Sequence, residues 1–135
     1  MASFKDDLRY FFNQNIDVQI FRTVVLPNSP MAAPEYIEEH QLVYDESGML
    51  LSSRLLSRSE LDHIEQLSRL FRCAHTYGMF RYLLCFLQWD YGLDPIDYLD
   101  QLLIATASIS AEQNPWLARI WDRETPPHDI LTSHA

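Results

Sequence analysis

The stretch FRTVVLPNSPMAAPEYIEEH, residues 21–40, decides how the rest of the chain is read. Val24, Val25 and Leu26 close an apolar run that drives straight into Pro27, with Pro30 and Pro34 following and small residues between them. Proline fixes φ and removes an N–H, so a strand ladder does not continue through this segment. Pro34 suits the first position of a short helix, PEYIEEH, and Glu35 falls where the helix dipole favours an acid. The stretch predicts a strand that stops at a stiff loop and hands over to an acidic helix.

Working outward, Ile16, Val18 and Ile20 alternate with Asp17, Gln19 and Phe21 before the run fills in to a continuous apolar end. This predicts a strand over residues 16–26, half-buried at its start and more fully buried at its end. Before it, Phe4, Leu8, Phe11 and Phe12 recur at helical spacing, with Ser3 placed to cap and Asp6 and Asp7 in the first turn. After it, QLVYD and MLLSS flank ESG, the pattern of a hairpin.

Ser57 with Glu60 forms a capping box for a helix through about Ala74. Leu61, Ile64, Leu67, Leu70 and Phe71 supply one face, and Asp62, Glu65, Arg69 and Arg72 the opposite, wet side. In GMFRYLLCFLQWDYG, residues 78–92, apolar bulk spreads around most of the circumference, which predicts a helix that is central or covered by a partner. Asp94-Pro95 opens a further helix with an acid cap and a proline at the first helical position. Ser110 caps a last one carrying Trp116, Leu117, Ile120 and Trp121, and a loosely packed tail is expected from Arg123. The expected fold class is α+β, mostly α: a short helix-strand unit and small hairpin followed by a bundle of about four helices. The expected divisions are residues 1–56, 57–125 and a flexible 126–135.

The sequence holds 135 residues, 47% of them hydrophobic and 13% aromatic, enough for one ordered core. A formal net charge of −9 disfavours nucleic acid, since phosphate contacts need clustered Lys and Arg. Residues 52–82 carry five Arg against three acids and residues 83–135 eight acids against two Arg. A solvated acidic end explains that asymmetry better than internal complementarity. No charged leader precedes an apolar run and no segment approaches membrane-span length, so the expectation is a cytoplasmic chain with no membrane partner.

The search for chemistry returns no catalytic residue and no metal site. Cys73 and His75 are the one close Cys/His combination, and two residues on a helix point about 200° apart. His75, near a helix end, is expected to meet the carbonyls there. Cys73 and Cys85, twelve apart within apolar helical patterns, read as buried reduced thiols. There is no GxSxG elbow and no glycine-rich phosphate loop, because Gly48, Gly78 and Gly92 are isolated. The series Asp90, Asp94, Asp97 and Asp100 is a possible cation or base site, but a cap, a first-turn acid and an exposed face account for it. Arg69, Arg72 and Arg81 with Tyr77 and Tyr82 would suit an acidic partner, though snorkelling arginines explain them as well.

One resemblance adds to this reading. FRTVVLPNSPMAAPEYIEEHQLVYD resembles the last core strand and following loop of radical SAM enzymes, in particular those with an N-terminal cobalamin-binding domain. Leu26, Pro27, Asn28, Ser29 and Pro30 match the family's Leu-Pro-(Gly/Asn)-(Thr/Ser)-Pro turn, with Asn28 standing for the commoner glycine because Asn also visits left-handed backbone. The likeness covers about the first 55 residues and its motif is moderately specific. It implies that the proline loop lies at the mouth of a partial barrel near the SAM adenine, with Pro27, Asn28 and Ser29 as cofactor-binding positions. It also implies that the helices from Ser57 form a C-terminal accessory region.

The chain departs from the family pattern in lacking the CxxxCxxC that holds a [4Fe-4S] cluster and the cobalamin motif DxHxxG. The resemblance therefore implies a C-terminal fragment, not catalytic alone, of a parent enzyme using SAM, a [4Fe-4S] cluster and cobalamin. Its partner would be the rest of that enzyme or a second copy in a homodimer. The alternative reading is a free-standing helical interaction module working through Phe80 to Trp89.

Overall fold

The computed structural model describes residues 2–110, 112–115 and 118. Among them the chain is mostly helical with one small sheet, the expected α+β class. The helix expected after Ser110 and the tail from Arg123 lie outside the described residues, although Ser110 and Gln113 do exchange the two reciprocal bonds of a cap. The chain divides at Gln19/Ile20 and Glu65/Gln66: one unit holds residues 1–19 and those from Gln66 on, the other Ile20–Glu65. The expected boundary was 56/57.

In the helical unit, α1 (Ala2–Asn13) buries Leu8 and Phe12. It begins one residue ahead of Ser3, which sits inside the first turn. It ends at Asn15, whose positive φ of 53° lets the Ile16 N–H return to the Phe11 carbonyl. Helix α3 (Arg58–Phe71) contributes Leu67, Leu70 and Phe71 to this core. The α geometry was expected to continue to Ala74 but stops at Phe71. Arg72–Thr76 forms a π turn, closed by the Tyr77 N–H on the Arg72 carbonyl, and Cys73, Ala74 and His75 are buried in succession there.

Helix α4 (Arg81–Tyr91) ends at Gly92 in the left-handed region, and α5 (Pro95–Thr106) packs against both α1 and α4. Asp94 caps α5 as expected, accepting from the Ile96 and Asp97 N–H groups at 2.9 and 2.8 Å. Ile96, Leu99 and Leu103 of α5 and Leu84 of α4 complete the apolar centre. At about 25 cal/mol per Å² of apolar surface removed from water, such side chains supply most of the driving force for folding.

The other unit is built around a hairpin, β1 (Val43–Tyr44) and β2 (Leu50–Ser52), paired antiparallel. Asp45 directs its turn by accepting from the Ser47 N–H, the Ser47 hydroxyl and the Met49 N–H. Gly48 has φ +83°, and a Cβ there would stand 2.5 Å from the Val25 carbonyl oxygen, so only glycine fits. The proline stretch gives a 3-10 turn (Pro30–Ala32) and then α2 (Pro34–His40), with Pro34 at its first position as expected.

Residues 16–26 do not form the expected strand. They run extended, and their strand-like pairing is one antiparallel bridge, Val24 to Met49, with Val25 N–H donating to Gly48 O and Leu50 N–H to Thr23 O. The expected burial gradient is also overturned: Val25 is buried, but Val24 and Leu26 are exposed and Phe21 is 75% exposed. The physical reason is the missing second neighbour, because an extended segment paired on one side keeps its other edge and face uncovered. Ser57 and Glu60 do form the capping box, with Ser57 N–H to Glu60 at 2.9 Å and Glu60 N–H to the Ser57 hydroxyl at 3.3 Å.

Candidate functional site

The residues singled out at the proline turn lie together in the 20–65 unit. Both the Ser29 N–H and the Ser29 hydroxyl donate to the Leu26 carbonyl, at 2.9 and 2.8 Å, closing Leu26-Pro27-Asn28-Ser29 into a tight turn. Proline at its second position presets the φ that such a turn needs. Asn28 does not adopt the left-handed conformation anticipated for it: among the described non-glycine residues only Asn15 and Gln41 have positive φ. Pro27 and Asn28 are exposed and Ser29 half-buried.

Pro27 lines an open cleft of about 310 Å³ with Val25, Tyr44, Asp45, Glu46 and Gly48. Asn28 and Ser29 are not part of its wall. The Asp45 carboxyl is held below the usual carboxylate range, chiefly by the Ser47 hydroxyl and then by the Met49 N–H. An acidic rim of Asp45 and Glu46 opposes a phosphate-bearing ligand and suits a cationic one.

Beside this turn, the extended segment presents a structured edge. The Thr23 carbonyl and Val25 N–H point to residues 48–50, so by strand alternation the backbone groups of Arg22 and Val24 and the Leu26 N–H point the other way. Among the described residues none of those outward groups makes a backbone–backbone hydrogen bond, the bond that Leu26 O accepts in the turn aside. The segment is anchored beneath by Arg22, whose guanidinium is buried against Asp62 at 2.9 Å and Glu65 at 3.2 Å. The wet face expected for α3 is thus occupied there. Its Asp62 and Glu65 neutralise a buried cation, a role that the periodicity of α3 did not signal.

A second candidate lies in the helical unit. α4 was expected to be central or covered by a partner, and it is not central: Leu84 is its one fully buried residue, while Tyr82 is 88%, Phe86 48% and Trp89 78% exposed. Between α4 and the end of α1 runs a groove of about 560 Å³ lined by Phe12, Asn13, Arg81, Tyr82, Cys85 and Trp89. Gln88 and Asn13, at its floor, are hydrogen-bonded to each other at 3.0 Å. The Arg69, Arg72 and Arg81 set does not act as one patch. Arg72 donates to the Tyr77 hydroxyl at 3.2 Å and lies over its ring, whereas Arg81 and Tyr82 belong to the groove.

The remaining candidates resolve into structure. Asp94, Asp97 and Asp100 pair with Lys5 and Arg9 of α1, and Asp100 is buried, contrary to the exposed face expected for it. Asp94 is held below the carboxylate range by the Arg9 guanidinium and the α5 N–H groups, against the opposing effect of burial. His75 does not meet helix-end carbonyls. It is 1% exposed, stacked between Phe12 and Phe71, and neither ring nitrogen completes a hydrogen bond, although the Ile16 backbone is near enough to favour its proton. Burial, with Arg81 adding to it, pushes the His75 pKa down. Cys73 is buried, which raises its thiol pKa, and Cys85 is half-buried.

Among the described residues no group of three or more His, Cys, Asp or Glu is placed to hold a metal ion. No described helix is long and apolar enough to cross a membrane. No family model and no curated protein matches the chain.

Proposed function

We propose that this chain is the C-terminal accessory region of a radical SAM enzyme of the cobalamin-binding-domain type, not catalytic alone, which adds residues 20–26 to the edge of a barrel sheet. The observation that carries this reading is the open edge of Arg22, Val24 and Leu26, beside exposed Phe21 and ending in the tight Leu26–Ser29 turn. An extended, apolar, half-paired edge is the geometry by which another strand adds to a sheet. The turn that follows matches the residues of the family's loop, and it sets Pro27, Asn28 and Ser29 where that family's barrel mouth contacts SAM. The [4Fe-4S] cluster, SAM and cobalamin would be held by the remainder of the enzyme.

The test is to clone and purify the full product of the gene and to compare hydrogen exchange in it with that of these residues alone. The expected product carries CxxxCxxC and protects the amides of Arg22, Val24 and Leu26, which exchange fast in the isolated chain. A gene product without that cysteine motif, or with those amides unprotected, overturns the reading.

A second reading, a helical interaction module, draws support from the uncovered aromatic face of α4. On this account Leu83→Asp abolishes association without unfolding the chain, and a folded, still associated variant removes the idea.

A further inference from the structure

We infer that α4 pairs antiparallel with α4 of a second copy of this chain, seating Trp89 of each copy in the groove of the other. The inference deepens the interaction reading by naming the partner, and it does not rest on the barrel reading. Tyr82, Phe86 and Trp89 follow the i, i+4, i+7 spacing of a helix–helix seam, and all three are exposed. At about 1.5 Å per residue the helix is roughly 16 Å long, with Phe86 near its midpoint.

A two-fold axis through that midpoint places the Trp89 of one copy opposite Arg81, Tyr82 and Cys85 of the other. Those three residues, with Phe12, line the 560 Å³ groove. Knob and hole therefore lie on the same helix, equally far from the axis and on opposite sides of it, which is the self-complementarity that an isologous interface requires. Trp in a pocket beside Arg is also the composition of energetic anchors at interfaces.

Charge selects the antiparallel sense and a second copy. Arg81 stands at the N-terminal end of α4, and among the described residues it makes no ion pair. The two-fold brings it to the C-terminal end of the other α4, where free carbonyls carry the negative end of the dipole. It also brings Asp90 of one copy to the Tyr82 hydroxyl of the other. A parallel pairing would set the two Arg81 side chains at the same level and leave both C-terminal ends without a cation. Three aromatic side chains of about 150–250 Å² each, at the exposures given, put roughly 400–500 Å² per copy under cover. With the flanking residues this reaches about 1,000 Å² in all, the lower edge of specific interfaces, so a reversible dimer is expected.

Sedimentation equilibrium of the purified chain from about 1 µM to about 1 mM tests the inference. The expected result is a concentration-dependent dimer that Trp89→Ala weakens at least about 30-fold. Phe86→Glu, at a second exposed position, is expected to abolish it, and circular dichroism establishes that both variants remain folded. Cys85 lies close to the proposed axis while Cys73 is fully buried, so a short bismaleimide should join two chains through Cys85 and Cys85→Ser should prevent it. A chain that stays monomeric throughout overturns self-pairing, as does a dimer indifferent to both substitutions. A dimer that the reagent does not link overturns the antiparallel register.

Discussion

Of the twelve buried hydrophobic residues described, eleven belong to the helical unit and Val25 alone to residues 20–65. The helical unit closes its own core and ties α1 to α5 through Lys5 and Arg9 on three aspartates. The 20–65 unit relies instead on polar devices: the Asp45 turn, Gly48 against Val25, the Arg22 pair and the Ser57 cap. The difference teaches where stability resides and where a partner is needed. Helices satisfy their backbone internally, whereas an extended segment must find neighbours along both edges.

The largest expected effect comes from Leu99→Ala in the middle of α5. Deleting a fully buried leucine should cost about 2–5 kcal/mol in urea denaturation, and a cost below about 1 kcal/mol would break the contrast between the units. Next is Gly48→Ala, expected to cost about 1–3 kcal/mol because it forces a side chain into positive φ and against the Val25 carbonyl. Its signature is regional: amide exchange should rise at Val25 and Leu50 and stay unchanged in α5.

A smaller effect follows from His75. Its pKa in the folded chain is pushed down, so the unfolded chain takes up a proton at a higher pH than the folded one does. Stability from this residue is fully present above the unfolded value of about 6.5 and is lost as pH falls from there toward the folded pKa. Denaturation midpoints between pH 8 and pH 5 should decline accordingly, and His75→Leu should flatten that part of the profile. The smallest effect belongs to Phe21→Ser: with the ring 75% exposed, the isolated chain should change by less than about 0.5 kcal/mol. In the presence of whatever covers the 20–26 edge, the same substitution should weaken binding.

The elements set by local chemistry were legible in the sequence. Ser57 with Glu60, Asp94-Pro95, Pro34 and the ESG turn each carry their own signal within a few residues, and each appears where that signal placed it. What was not legible depends on partners distant in sequence. Nothing near residue 22 says that Arg22 meets Asp62 and Glu65, forty and forty-three positions on. The alternation over 16–26 encodes a shape that fits a sheet, but not whether a second neighbour exists to complete it. The groove beside α4 was half-visible: an all-round apolar helix signals burial or a partner, and the sequence alone does not choose between them.

The π turn at Arg72–Thr76 also bears on how this chain tolerates change in length. A π turn holds one residue more than an α-helix needs to cover the same turn, and here that extra residue lets Cys73, Ala74 and His75 all face inward. Losing one residue between 72 and 76 would let α3 run on as a regular helix and rotate every following side chain by about 100°. The stretch is therefore a counting device: natural variants should keep the number of residues between Phe71 and Gly78 even where they change their identities.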